Sequence, residues 1–195
     1  MQAKDNGEIM CKKLKQFKSK SAHDLLTESG QISNIPVDLD KLLEFYEVAK
    51  IPSQFTDLEA LDVNKGKGEI SGLVLSSGDE LGVFYKKTDS IHRKRFTIAH
   101  ELAHCCLHTE SLKEGYVELR NPDYTDEKER AADIFAGELL IPEQQLDYAL
   151  QRLIKPSLYG LADLFQVSIN VMRARMEYLR RPYFDDKVGK IITVE

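Results

Sequence analysis

Apolar positions recur along this chain at two periods, and each period predicts its own kind of element. Ser21 can cap a short helix through Leu26, ended by Gly30. Asn34-Ile35-Pro36-Val37-Asp38 is a second start signal, and Leu39, Leu42, Leu43 and Tyr46 follow at helical spacing. That spacing predicts a helix over 38–49, stopped by Pro52. Glu69 to Ser76, with Ile70, Leu73, Val74 and Leu75, suits a strand; so does Leu81 to Lys87, with Val83, Phe84 and Tyr85. Ser77-Gly78-Asp79 between them is turn chemistry, which makes the pair a β-hairpin. Asp89 to Lys94 reads as a polar connection.

A buried helix is predicted from Phe96 to about His108, with Phe96, Ala99, Leu102, Ala103, Cys106 and Leu107 on its apolar side. Thr109 to Pro122 reads as a long loop. Thr125 or Asp126 caps the next helix, which carries Ala131, Ala132, Ile134, Phe135, Ala136, Leu139 and Leu140 and stops at Pro142. Shorter helices are expected near 143–154, 157–165 and 168–180, and Ile191 to Val194 reads as an extra edge strand. The class is α+β.

Composition narrows the setting. The chain has 195 residues, 42% hydrophobic and 30% charged, which is ordinary for one folded domain with its own core. No apolar run approaches the roughly 20 residues of a membrane helix. The polar start has no apolar segment of the secretory kind. Three cysteines, two of them adjacent (Cys105 and Cys106), do not make a disulfide framework and fit a reducing cytoplasm. A formal charge of −5 argues against a dedicated nucleic-acid binder. Residues 1–20 run against this balance, with six lysines facing Asp5 and Glu8, and read as a flexible basic lead-in. The expected organisation is therefore a lead-in over 1–20, a core over 21–142 and a helical segment over 143–195 packed on it.

His100-Glu101-Leu102-Ala103-His104 carries the chemistry. With five histidines in the chain, chance supplies such an H-E-x-x-H match on the order of 0.01 times. In a helix, positions i and i+4 share one face, so two imidazoles can converge on one ion at about 2.0–2.1 Å. Glu101 lies about 100° round the helix from His100. Its carboxylate then stands beside the ion, where it can take a proton from a water in an open position.

A catalytic zinc needs a third protein ligand. His108 is nearest in sequence, but on a continuous helix it sits about 12 Å along the axis from His100, and no glycine turns the chain back. It reads instead as a group supporting the site or as a cation at the helix end. Carboxylates on the next helix remain: Glu127, Glu129 and Asp133. Glu129 and Asp133 are four residues apart on one face. Glu129 could bind the ion while Asp133 accepts the outer N–H of a ligating histidine; residue types alone leave Glu127 and Glu129 open.

These stretches resemble a known family. Arg95 through His104 with Leu107-His108, and Glu129-x-x-x-Asp133-x-Phe135-Ala136-x-Glu138-Leu139-Leu140-Ile141-Pro142, are similar to the two signatures of the ImmA/IrrE metallopeptidases, and the resemblance covers roughly 22–181. It implies a zincin-like core with a small antiparallel sheet and a C-terminal helical part. It implies that the third metal ligand beside His100 and His104 is Glu129, and that Glu101 is the catalytic base. It also implies a zinc-dependent endopeptidase acting on a helix-turn-helix repressor of a mobile element or stress response. Manganese or iron suits two histidines and a carboxylate as well, because ligand type does not separate them.

Leu161-Ala162-Asp163-Leu164-Phe165-Gln166-Val167-Ser168 with Ile169 to Arg173 is spelled like a helix-turn-helix. Arg173, Arg175, Arg180 and Arg181 would be its cations for DNA. The acidic chain favours the other reading, in which this unit packs on the core or grips the substrate. The remaining expectations are core packing for Cys105 and Cys106, a solvated His92-Arg93-Lys94-Arg95 loop, and a carbonyl-polarising tyrosine among Tyr116, Tyr124 and Tyr159. The rival function is a regulatory or DNA-binding protein with a non-catalytic metal site.

Overall fold

A computed structural model describes residues 11–54, 72–109, 112, 126–153 and 156–193. The chain opens with a short helix, α1 (Lys12–Lys15), then α2 (Ala22–Glu28) and α3 (Leu39–Phe45). Ser21 caps α2 in a reciprocal box with Asp24, which satisfies two backbone donors that a helix start leaves open. Asp38 caps α3 by accepting from the Asp40 and Lys41 amides.

Two expectations about this region are corrected. Residues 11–20 are not a loose lead-in: Leu14 and Phe17 are fully buried and Cys11 nearly so. Phe17 packs on the ring of Tyr46, and the Ser19 amide donates to the Cys106 carbonyl. Each such apolar side chain contributes about 1.5–3 kcal/mol by leaving water, enough to hold a short basic helix against the body.

The helix predicted over 38–49 stops at Phe45, and Val48–Ser53 forms a strand, β1. Tyr46 explains the break. Its ring is buried, its hydroxyl donates to Glu28 and its carbonyl accepts from Gln16. Glu47 then turns with φ of 54°, and Val48, Ile51 and the residue constraint before Pro52 favour extended backbone.

β2 (Gly72–Ser77) and β3 (Glu80–Lys86) form the expected antiparallel hairpin, with Gly78 in the left-handed region at the turn. β1 joins β3 in parallel, from Val48 opposite Leu81 to Ser53 opposite Lys86. The sheet order is β1-β3-β2, so Pro52, which has no N–H to give, lies on an edge strand.

Beneath the sheet runs α4 (Ile91–Leu107), capped by Ser90. It starts earlier than predicted, so the basic cluster His92 to Arg95 forms its opening turns rather than a loop. Arg95 reaches the carbonyls of Val37 and Gln166. Ten consecutive residues, Thr97 through Cys106, are buried. α5 (Asp126–Leu140) packs along α4 through Ala132, Phe135, Ala136 and Leu139, all buried. The loop expected between them, with Tyr116 and Tyr124, lies almost wholly outside the described residues. Cys105 and Cys106 lie in the core outside any disulfide, and burial pushes Cys106 up to about 12.

The C-terminal part is α6 (Glu143–Arg152), α7 (Leu158–Phe165) and α8 (Ile169–Tyr178), then β4 (Tyr183–Asp185) and β5 (Lys190–Ile192). The expected final strand exists, but it pairs with β4 in a separate two-stranded ribbon and not with the main sheet. α7 and α8 are joined through Gln166, whose φ is 53°. Among the described residues no helix is long and apolar enough to cross a membrane.

Candidate metal centre

α4 carries His100, Glu101 and His104 in its buried middle. Leu102 and Ala103, both fully buried, fix the helix's rotation, so the two histidines one turn apart face α5 together. α5 answers with Glu129 and Asp133, again one turn apart. The His100 Nε2 and His104 Nε2 atoms are 2.9 Å apart. Glu129 reaches both, Oε2 to His100 Nε2 at 3.3 Å and Oε1 to His104 Nε2 at 3.6 Å. Among the described residues, His100, His104 and Glu129 form a group whose ligand atoms all lie within 4.8 Å of one another.

Donor chemistry and spacing fit a divalent cation. Atoms held about 2.0–2.1 Å from one tetrahedral ion stand about 3.3 Å from each other, and the three separations straddle that value. His100 Nδ1 lies 2.9 Å from Asp133 Oδ1. An acceptor there keeps the proton on Nδ1 and leaves the Nε2 lone pair to face the cluster.

The electrostatics of the two imidazoles diverge. Burial pushes His100 down, but its hydrogen bonds to Asp133 and Glu129 outweigh that and raise it above the usual histidine range. Burial and then the neighbouring His100 charge push His104 down. Two ring nitrogens this close cannot both hold a cation. The histidines are deeply buried, whereas the Glu129 side chain keeps 31% of its surface and Asp133 58%. The cluster is therefore walled by α4 and open on the α5 side.

Of the other candidates, Glu127 is exposed on the first turn of α5 and stands outside the cluster, about 200° round the helix from Glu129. His108 caps α4 by donating its amide to the His104 carbonyl, and its ring lies 5.5 Å from that of His104. Burial and Lys128 push His108 down, which argues against a helix-end cation. Tyr159 lies half-exposed on α7.

Glu101 is buried at 8% exposure, and the strand end beside it went unread in the sequence. A Cβ placed on Gly72, at the start of β2, would stand 2.9 Å from Glu101 Oε1 and 2.3 Å from Thr97 Cγ2. A glycine in an apolar strand pattern is the one local signal of such close backbone approach.

The C-terminal arginines are largely committed inside the fold. Arg175 is buried and donates Nε to the Ile141 carbonyl. Arg173 pairs with Asp185 at 3.1 Å. Arg181 makes a two-pronged contact with Asp147 and reaches Glu143. Arg180 is exposed.

No curated protein matches the chain. A family model does, the IrrE N-terminal-like domain (Peptidase_M78), over residues 61–177, a stretch that contains the whole cluster. Since that match spans more than half of the sequence, the chain belongs to the IrrE N-terminal-like peptidase family, and membership implies peptide hydrolysis with a metal at a site such as this one.

Proposed function

We propose that this protein is a zinc-dependent endopeptidase whose target is a helix-turn-helix repressor, and that it works in the cytoplasm. The observation that carries the reading is the convergence of His100, His104 and Glu129 on one point, with Glu101 on the adjoining helix position. His100, His104 and Glu129 would hold the ion. When bound, zinc supplies Lewis acidity that polarises a carbonyl and brings the pKa of water towards about 7. Glu101 takes the proton of the attacking water and passes it to the departing amide nitrogen. Asp133 holds the His100 ring in its ligating tautomer.

The pairing of Arg173 with Asp185, of the buried Arg175 with Glu138 at 3.5 Å and of Arg181 with Asp147 and Glu143 supports a protein partner for the C-terminal helices over DNA, because cations already paired add little counterion release. Three buried cysteines, none of them in a disulfide, support the reducing compartment.

The deciding experiment is zinc content per chain by elemental analysis, followed by cleavage of an internally quenched fluorogenic peptide from a random library. About one zinc per chain with chelator-sensitive cleavage is the expected result; no uptake of added zinc would defeat the reading. The outer histidine contact adds its own expectation. Asp133→Ala should weaken zinc binding about 10–100-fold, read by competition against a chromophoric chelator. Unchanged affinity would show that Asp133 does not orient His100.

A further inference from the structure

Gly72 has no backbone reason to be glycine. It sits in extended strand conformation opposite Tyr85, and its φ is not in the left-handed region that favours glycine at Gly30, Gly78 and Gly189. Nor is it there for a turn. What sets it apart is its neighbour below. Thr97 and Glu101 lie one turn apart on α4, so their side chains share one face, and both are buried. A Cβ on Gly72 would meet Thr97 Cγ2 at 2.3 Å and Glu101 Oε1 at 2.9 Å, against about 3.5–4.0 Å for an unstrained carbon contact.

Gly82, on the neighbouring strand, makes the contrast. A Cβ there would meet the flexible end of Ile51 at 3.1 Å, and that end can swing away. The methyl of Thr97 is one bond from its own Cβ, so it can leave only by turning χ1 of a β-branched side chain on a buried helix, which has few rotamers to choose from. β2 cannot lift easily either, since Leu73 and Val74 are buried directly after Gly72 and the strand is in register with β3 along its length.

We infer that Gly72 is a positioning residue for Glu101. Its missing side chain lets the end of β2 lie directly on α4, and the strand backbone then limits where the Glu101 carboxylate can turn. The confinement falls on the residue next to His100 in the helix and would hold its carboxylate in one pose for proton transfer. This rests on the reading of Glu101 as the base.

The test separates the two contacts. Gly72→Ala alone combines a clash with the fold and a clash with the carboxylate. Thr97→Ser removes the methyl, so Gly72→Ala in that background leaves only the encounter with Glu101. Four proteins are compared: wild type, each single variant and the double variant. Each is measured for thermal midpoint, zinc per chain, and kcat and KM on the quenched peptide, and the double variant is crystallised.

The double variant is expected to regain the midpoint of Thr97→Ser and to keep its zinc. Its kcat should stay at least about tenfold below that of Thr97→Ser with KM little changed, within the about 10²-fold that a 1 Å misplacement can cost. A purely structural role for Gly72 would return kcat together with the midpoint, and that result would overturn the inference. The crystal structure supplies a readout independent of turnover: a displaced Glu101 carboxylate supports it, and an unmoved one overturns it. If the zinc-loaded wild type cleaves no peptide, the peptidase reading fails by itself, and the carboxylate position alone decides the role of Gly72.

Discussion

Glu101→Gln should bind one zinc per chain, unfold at the wild-type temperature and cleave nothing measurable. The substitution preserves shape at a site with little slack, where the residue is 8% exposed and a Cβ on Gly72 would stand 2.9 Å from its Oε1. It removes the ability to accept a proton from water and return it to the amine. Loss of general acid–base catalysis costs about 10²–10⁴-fold in rate, and here one carboxylate serves both transfers. Elemental analysis, a melting curve and turnover of the quenched peptide check the three parts separately. A metal-free variant would make Glu101 a ligand, and undiminished turnover would remove it from the chemistry.

The second large effect falls on the metal itself. Glu129→Ala takes away the carboxylate that lies 3.3 Å from His100 and 3.6 Å from His104. It leaves two imidazoles that cannot close a site alone. Zinc affinity should fall by more than the about 10–100-fold expected for an outer partner such as Asp133, and isolated protein should contain almost no metal. Glu127→Ala, two residues earlier and outside the cluster, is the matched control and should keep its zinc. Full retention of zinc by Glu129→Ala would mean that another group supplies the third donor.

How much of this could be read from the chain alone depended on the range of the interaction. The two histidines and Glu101 were plain, because a helix converts a spacing of four residues into a shared face. Glu129 was harder. Residue types placed it level with Glu127, and only the pairing of α5 with α4, or the family resemblance, chose between them. β1 was hidden in an apolar pattern that suits a helix as well as a strand; what ends α3 is the burial of Tyr46 among Phe17, Gln16 and Glu28, residues distant in sequence. The core role of Leu14 and Phe17 was masked by the lysines around them, which set the composition while Lys12, Lys15 and Lys18 face solvent and Lys13 and Lys20 pair with Glu80 and Glu28. Gly72 offered one weak local sign, and its meaning lay with Thr97 and Glu101 some 25 to 29 positions away.

The early helices and β1 lie before the family-matched stretch begins at residue 61, and this separates the boundary of recognition from the boundary of folding. A polypeptide excised at 61–177 would keep every proposed metal ligand. It would lose Leu14, Phe17, Leu25, Leu42, Leu43 and Tyr46 from the common core, and β3 would lose its partner along β1. A bare hydrophobic strand edge is a template for association with other chains. Such a fragment is expected to collect in inclusion bodies where the whole chain stays soluble. Comparing the soluble fractions of the two, expressed side by side, would show whether the catalytic signature of this chain can fold when cut away from the residues that flank it on both sides, Tyr183 of the core among them.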